Sequence, residues 1–157
     1  FNMEEHKIEV LVHPESIIHS LVTYVDGSVL AQLGSPDMRT PIAYTLGWPD
    51  RIRTPVNDLD LAQLGKLTFS KPDIERFPAL ELSRAALRLG SGASTVLNAS
   101  NEIAVKSFLD KKMAFTDIYR VVSSTMEKIG ESEVSCLEDV YMVDQEARHL
   151  AEEFALN

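Results

Sequence analysis

A predicted β-hairpin constrains the fold of this chain more strongly than any other part of its sequence. Residues 17–25 are rich in the β-branched and aromatic side chains that favour strands, and residues 28–33 are expected to form the returning strand. Asp26-Gly27 lies between them and is typical of a type I′ turn, in which both central residues have positive φ angles. The register set by this turn places His19 opposite Gly34, at the open end of the hairpin.

Two polar loops flank the hairpin and are expected to lie side by side. Residues 11–16 precede its first strand, and residues 34–41 follow its second. Because a tight turn returns the chain to the end where it started, both loops leave the same end of the sheet. Ile8, Val10 and Val12 alternate with polar residues, which predicts a further strand in this small sheet. We therefore expect a pocket-like surface at this end of the hairpin.

The remainder of the chain is predicted to be mainly helical. Asp37 is expected to cap a helix that ends at Trp48-Pro49, and residues 49–73 form a proline-bracketed connecting segment. Leucines and a phenylalanine in this segment provide apolar surface with which it can pack against the protein. The fold class is therefore α+β, with residues 1–48 holding the small sheet, residues 49–73 connecting, and residues 74–157 forming a helical bundle.

One-sided apolar stripes predict four helices in the bundle, around residues 82–89, 105–109, 118–129 and 147–154. We expect Gly90 and Gly130 to end the first and the third of these helices. Thr116 and Asp144 are the expected N-caps of the third and the fourth.

The charge and composition exclude several classes of partner. A formal net charge of −9 disfavours nucleic acid and anionic membranes, because both attract an excess of Lys and Arg. No uninterrupted apolar run approaches the roughly 18 residues of a membrane span. The single cysteine, Cys136, has no partner for an internal disulfide, which is consistent with a reducing compartment.

Several ordered motifs make the chain resemble a known enzyme family. The resemblance runs from about Lys7 to the C-terminus and includes residues 26–34 and 36–42, Val12-His13-Pro14-Glu15-Ser16 and Leu97-Asn98-Ala99-Ser100-Asn101-Glu102. Over this length the chain resembles the second half of the 1-deoxy-D-xylulose 5-phosphate reductoisomerases. This long and nearly gapless match is more specific than any single motif within it.

The resemblance implies an activity for a longer parent protein. Members of the family use NADPH and a divalent metal, Mn or Mg, to rearrange and reduce 1-deoxy-D-xylulose 5-phosphate to 2-C-methyl-D-erythritol 4-phosphate in non-mevalonate isoprenoid biosynthesis. It also implies a homodimer in the bacterial cytoplasm or a plastid-type stroma. The family's glycine-rich nucleotide turn and acidic metal cluster lie upstream of Phe1. We therefore expect a fragment that is inactive alone, with no bound cofactor or metal.

Four residues are candidates for the pocket wall, and three of them also have a structural interpretation. His19 is either a strand histidine satisfied by backbone or, as the resemblance implies, a supporting residue near substrate and metal. Ser16 is either a cap or turn residue or, as the resemblance implies, a neighbour of the nicotinamide and substrate. Pro36 and Met38 match family residues near the cofactor, where apolar groups keep the hydride-transfer site dry, although Met38 could equally fill a core.

Other polar residues are assigned structural roles. His13 precedes a proline and is expected to be extended and structural. Asp37 and Glu102 are expected at helix starts, where the helix dipole favours carboxylates, and Glu15 in a turn. Because no carboxylate or histidine spacing demands a common metal, we predict no metal ligands in this chain. The alternative function is a helical interaction or oligomerisation module that has no catalytic activity.

Overall fold

The computed structural model of the protein describes residues 3–156, except for the side chain of Ser91. Its described part contains a 3-10 turn at Glu5–Lys7, one antiparallel sheet and six α-helices, which agrees with the predicted α+β class. The strands are β1 (Ile18–Thr23) and β2 (Val29–Leu33). The helices are α1 (Arg39–Gly47), α2 (Leu61–Leu64), α3 (Ala79–Leu89), α4 (Ser91–Leu109), α5 (Asp117–Ile129) and α6 (Leu137–Leu156).

The chain divides into two compact units. One unit comprises residues 10–72, and therefore contains the hairpin, α1 and α2. The other comprises the described residues 3–9 together with 73–156, and contains α3 to α6. The three-segment division expected from the sequence remains a prediction.

The hairpin forms as predicted, but its turn and register differ from the prediction. Only Gly27 of the Asp26-Gly27 pair has a positive φ, +84°. Tyr24 instead accepts a hydrogen bond from Gly27 N–H and donates one to the Ser28 carbonyl, which makes a three-residue loop. The pairing consequently shifts by one residue, to Thr23 with Val29 and Val22 with Leu30. The predicted type I′ turn and register are therefore wrong.

The shifted register changes the position of His19. Ile18 pairs with Leu33 and Ser20 pairs with Gln32, so His19 is the extra residue of a bulge. The Gly34 amide, which was predicted opposite His19, donates to the Ile17 carbonyl at 2.9 Å.

The predicted strand at residues 8–12 does not form within the described part of the chain. Residues 5–7 make a 3-10 turn, and Val12 joins only an isolated bridge. Val12 N–H donates to the Ser70 carbonyl at 2.9 Å, and Ser70 N–H donates back at 3.0 Å. Val12 therefore pairs with the connecting segment, and not with the hairpin as predicted.

Helix α4 is the centre of the helical unit and packs against α3, α5 and α6. Small side chains allow this close approach, since Ala93, Ala99 and Ala104 of α4 are almost fully buried. Larger residues from the neighbouring helices fill the remaining core, among them Val121 and Val143. Two buried hydroxyls, those of Ser100 and Thr125, donate to carbonyl oxygens one turn earlier in their own helices.

The helix ends show which capping predictions were correct. Gly90 ends α3 with φ +113°, as predicted. Thr116 precedes α5, but its side chain makes no cap hydrogen bond. Asp144 lies inside α6 and pairs with Arg148, so its predicted N-cap role is wrong. Asp139 acts at this terminus instead, because it accepts the amide hydrogens of Ser135 and Cys136.

Glu102 was also expected at a helix start, and this prediction is wrong. It lies in the middle of α4 and pairs with Arg148 of α6 at 2.7 Å. The Arg148 and Asn98 side chains donate to Glu102, which lowers the pKa of its carboxyl group.

None of the helices in the described part of the chain combines the length and the apolar character needed to cross a membrane.

Candidate functional site

The two loops predicted to form a pocket wall leave the same end of the hairpin. Ile18 pairs with Leu33 at this end, and the hydrogen bond from Gly34 N–H to Ile17 O closes it. The upstream loop, residues 13–16, therefore lies next to the downstream loop, residues 34–38. This agrees with the arrangement expected from the sequence.

The upstream loop ends in an uncommon backbone conformation at Ser16. Its φ of +53° lies in the left-handed region, which residues other than glycine rarely occupy. Ser16 N–H donates to the His13 carbonyl at 3.1 Å, which closes a tight turn around Pro14 and Glu15. Such a conformation persists only where its surroundings hold it, and it frequently marks a functional loop.

His13 anchors the start of this turn. Its side chain is only 7% exposed, and its ring stacks on Phe69 with a centroid distance of 4.8 Å. Nδ1 lies 2.8 Å from the Thr68 carbonyl oxygen and 3.1 Å from the Glu15 carboxylate. Because a carbonyl oxygen only accepts, Nδ1 carries the proton in this contact. The structural role expected for His13 agrees with this geometry, while Nε2 is buried and has no hydrogen-bond partner among the described residues.

Glu15 lies in the turn, as expected, and binds the same downstream residue. Its Oε2 accepts the Thr68 amide hydrogen at 3.2 Å, and its Oε1 accepts the Thr68 hydroxyl. The pKa of the Glu15 carboxyl group is lowered, mainly because the Thr68 hydroxyl donates to it, and hydrogen bonds from backbone amides lower this pKa further. Sequence reasoning missed Thr68, because it lies 53 residues downstream and belongs to no recognisable motif.

The downstream loop is held by Asp37 and Ser35. Asp37 Oδ1 accepts the Arg39 amide hydrogen at 2.9 Å, but the N-cap of α1 is Met38, one residue after the predicted cap. The Arg39 guanidinium donates to both carboxylate oxygens, which lowers the pKa of Asp37 to about 2. Ser35 Oγ donates to the Asn57 carbonyl at 3.0 Å. Asp37 is therefore a structural carboxylate.

All four predicted pocket residues lie on or between these loops with exposed side chains. Ser16 ends the upstream loop, and His19 lies in the β1 bulge. Pro36 and Met38 belong to the downstream loop, and Met38 is 71% exposed at the N-cap of α1. Met38 therefore does not fill a core within the unit that contains it. No hydrogen bond among the described residues occupies the side chains of Ser16 and His19, which leaves both able to bind a ligand.

The described residues do not fit a divalent metal. Nowhere in residues 3–156 do three His, Cys, Asp or Glu side chains come together in a group that could hold a metal ion. The glycine-rich stretch 90–92 does not fit a dinucleotide either. Gly90 ends α3, and Gly92 packs so closely that a Cβ atom there would overlap the Ser132 carbonyl oxygen. This part of the chain can supply apolar contact and hydrogen bonds, and its described residues contain no three-ligand group for a metal.

The helical unit contains a separate pocket of about 280 Å³ between α3, α4 and α5. Leu82, Leu97, Ile118 and Val122 line it, together with polar edges from Asn98 and Asn101. None of the sequence-predicted site residues lies in it, and it brings together no catalytic arrangement.

Comparison with known proteins gives one family. The model of the DXP reductoisomerase C-terminal domain matches residues 33–150. The 1-deoxy-D-xylulose 5-phosphate reductoisomerase of Rhodospirillum centenum is 56% identical over 153 residues, which are 98% of this chain and 38% of the relative. The Zymomonas mobilis protein of the same name is 51% identical over 148 residues, which are 94% of this chain and 38% of the relative.

Solved structures give the same result. The Zymomonas mobilis reductoisomerase in complex with NADPH matches the whole chain with a TM-score of 0.91 and 49% identity, and 42% of that protein is covered. A DOX-P reductoisomerase in complex with NADPH, fosmidomycin and magnesium matches 99% of the chain with a TM-score of 0.90 and 46% identity, and 40% of that protein is covered. The chain thus spans about two fifths of the length of the relatives it matches.

Proposed function

This chain belongs to the 1-deoxy-D-xylulose 5-phosphate reductoisomerase family, and on that premise we propose that it forms the C-terminal part of an enzyme with this activity. The enzyme would rearrange and reduce 1-deoxy-D-xylulose 5-phosphate with NADPH and Mg²⁺ or Mn²⁺. The observation that carries the proposal is the match of the entire chain to a reductoisomerase solved with NADPH.

The proposed contribution of this chain is one wall of the substrate and cofactor pocket. Met38 and Pro36 would cover a face of the nicotinamide, since apolar contact excludes water from the site of hydride transfer. Ser16 would donate a hydrogen bond beside the cofactor. His19 would orient groups near the substrate without acting as the main base. The exposure of all four side chains supports these assignments.

The metal would bind outside the described residues, because these residues contain no three-ligand cluster. The NADPH phosphates would also bind outside them, because the glycine-rich stretch 90–92 does not fit a dinucleotide. The isolated chain is accordingly proposed to be inactive and to bind NADPH without useful affinity. The test compares the chain with a full-length protein that carries it. The full-length protein should oxidise NADPH only when both 1-deoxy-D-xylulose 5-phosphate and the metal are present. Absence of NADPH oxidation would refute the proposed activity. Saturable micromolar NADPH binding by the isolated chain would refute the proposal that NADPH binds mainly outside the described residues.

We further propose that the chain self-associates through the hairpin, as part of a homodimer. The hairpin exposes apolar side chains along both strands, including Val22 (51%) and Leu30 (63%). Exposed apolar strands favour pairing with another chain. Sedimentation at micromolar concentration should show a dimer that Val22→Lys weakens. Leu109→Lys is the control, because Leu109 is 69% exposed at the end of α4 and lies outside the hairpin.

Three outcomes would contradict the dimer proposal: a monomeric chain, a dimer that Val22→Lys does not weaken, or a dimer that both substitutions weaken equally. The same hairpin is the observation that favours the second candidate function, an oligomerisation module without catalysis. A full-length protein that dimerises but does not oxidise NADPH would select that function. Location in the bacterial cytoplasm or a plastid remains a prediction of the family assignment.

A further inference from the structure

The connecting segment, residues 49–73, contacts both loops of the proposed pocket wall. Thr68 binds the upstream loop through Glu15 and His13, and the Asn57 carbonyl accepts the Ser35 hydroxyl of the downstream loop. All these residues lie within the unit of residues 10–72. The segment is therefore part of the support beneath the site.

The amide, the hydroxyl and the carbonyl of Thr68 all form hydrogen bonds with the upstream loop. Its amide and its hydroxyl both donate to the Glu15 carboxylate, and its carbonyl accepts from His13 Nδ1. The bridge between Val12 and Ser70 fixes the backbone two residues further along the segment. Hydrogen bonds to a charged carboxylate are stronger than those between neutral groups, so Glu15 is the main point of attachment.

This attachment lies next to the left-handed residue. Ser16 directly follows Glu15, and its φ of +53° is unfavourable for a serine unless neighbouring contacts hold it. The turn itself provides one hydrogen bond, from Ser16 N–H to the His13 carbonyl. Thr68 thus holds both residues that close this turn. It binds His13 directly, and it holds Ser16 through the adjacent Glu15.

We propose that Thr68, acting through Glu15, is a positioning residue that holds Ser16 in its left-handed conformation and so presents Ser16 to the nicotinamide. This inference rests on the proposed function for the role of Ser16, but the conformational part stands independently. Glu15 is in this view neither a metal ligand nor a catalytic acid. Its carboxylate is occupied by the residue that fixes the loop.

The first experiment measures the loop in the chain itself. Thr68→Val removes the hydroxyl and keeps the β-branched shape, whereas Thr68→Ser keeps the hydroxyl. Hydrogen exchange of the Ser16 amide should accelerate about tenfold in Thr68→Val, the change expected from losing a hydrogen bond to a charged group. Thr68→Ser should exchange like the wild type. Thr45→Val is the matched control, because the Thr45 hydroxyl donates to the Pro41 carbonyl within α1.

The second experiment measures catalysis in a full-length protein that carries the chain. Thr68→Val should raise the KM for NADPH several-fold more than it lowers kcat, and Thr68→Ser should restore the wild-type KM. Glu15→Ala removes the same hydroxyl bond and also the bond from the Thr68 amide, so the double variant should be no worse than Glu15→Ala alone. Glu15→Ala also provides the test if Thr68→Val does not fold.

Unchanged Ser16 exchange in Thr68→Val would overturn the proposal. Equal effects of Thr68→Val and Thr45→Val on the KM, or failure of Thr68→Ser to restore it, would overturn it as well. A full-length wild-type protein that does not use NADPH refutes the proposed function instead. In that case the exchange of the Ser16 amide still decides whether Thr68 holds the loop.

Discussion

Met38→Ala is the most direct test of the proposed pocket wall. The Met38 side chain is 71% exposed in this chain. Complete burial of a methionine contributes about 1.5–3 kcal/mol, so covering the exposed part with a nicotinamide would contribute roughly 1–2 kcal/mol. Loss of that contact should weaken NADPH binding by about 5-fold to 30-fold. Because only apolar contact is removed, the affinity for the metal should stay nearly unchanged.

The assay is the KM for NADPH in a full-length protein that carries the chain. Leu46→Ala is the matched control, since Leu46 lies on the same helix α1 and is 80% exposed. Both substitutions are on the surface, so the free energy of unfolding should change by less than about 0.5 kcal/mol in each. Only Met38→Ala should raise the KM.

Four results would refute this reasoning. If Met38→Ala leaves the KM for NADPH unchanged, the side chain does not contact the nicotinamide. If Leu46→Ala raises the KM equally, the effect does not depend on contact with the nicotinamide. If Met38→Ala weakens metal binding as much as NADPH binding, the residue lies elsewhere in the site. If it destabilises the chain by several kcal/mol, Met38 packs in a core after all.

Two further predictions concern the helical unit. The pKa of Asp139 is lowered to about 2, chiefly because the Ser135 hydroxyl donates to it, so its stabilisation is present above the ordinary value of 3.8 and is lost as the pH falls towards 2. Asp139→Asn should therefore flatten the fall in stability between about pH 5 and pH 2, measured by chemical denaturation, and an unchanged slope would contradict this. Gly92→Ala should lower the free energy of unfolding by about 1–3 kcal/mol, because the added Cβ overlaps the Ser132 carbonyl oxygen. Ser94→Ala, an exposed change in the same turn, should be close to neutral, and equal stability of the two variants would show that the helices adjust at no cost.

Local patterns were sufficient to predict most of the helices. The stripes at residues 82–89 and 118–129 correspond to α3 and α5, and Gly90 ends α3 as predicted. These predictions succeed because helical periodicity and a positive-φ glycine are properties of adjacent residues. The prediction at Glu102 failed because α4 already begins at Ser91, whereas the predicted apolar stripe covered only residues 105–109.

The start of α6 was missed for a related reason. Asp144 lies in front of the apolar stripe and is a plausible cap, but the helix already begins at Leu137. The Asp139 carboxylate accepts hydrogen bonds from the backbone amides of Ser135 and Cys136. It therefore caps the helix near its actual start, before the position of Asp144. The sequence contains several acidic residues in this stretch, and each of them could cap the helix. Which one does so depends on where the packed helix begins.

The hairpin shows the limit of local reasoning most clearly. Asp26-Gly27 predicts a turn, but it fits either a two-residue loop or the three-residue loop found here. The choice shifts the register by one residue and places His19 in a bulge. A sequence that is apolar on both faces does not favour one register over the other.

The sequence by itself therefore determined the fold class, the hairpin, the helical bundle and the family, because each depends on local periodicity or on a long ordered match. Tertiary structure alone decided how the two loops of the proposed pocket wall are held. Thr68 and Glu15 are 53 residues apart, and Ser35 is 22 residues from Asn57. Hydrogen bonds between such distant residues have no periodic signature in the chain, since they depend on how the folded connecting segment lies against the loops.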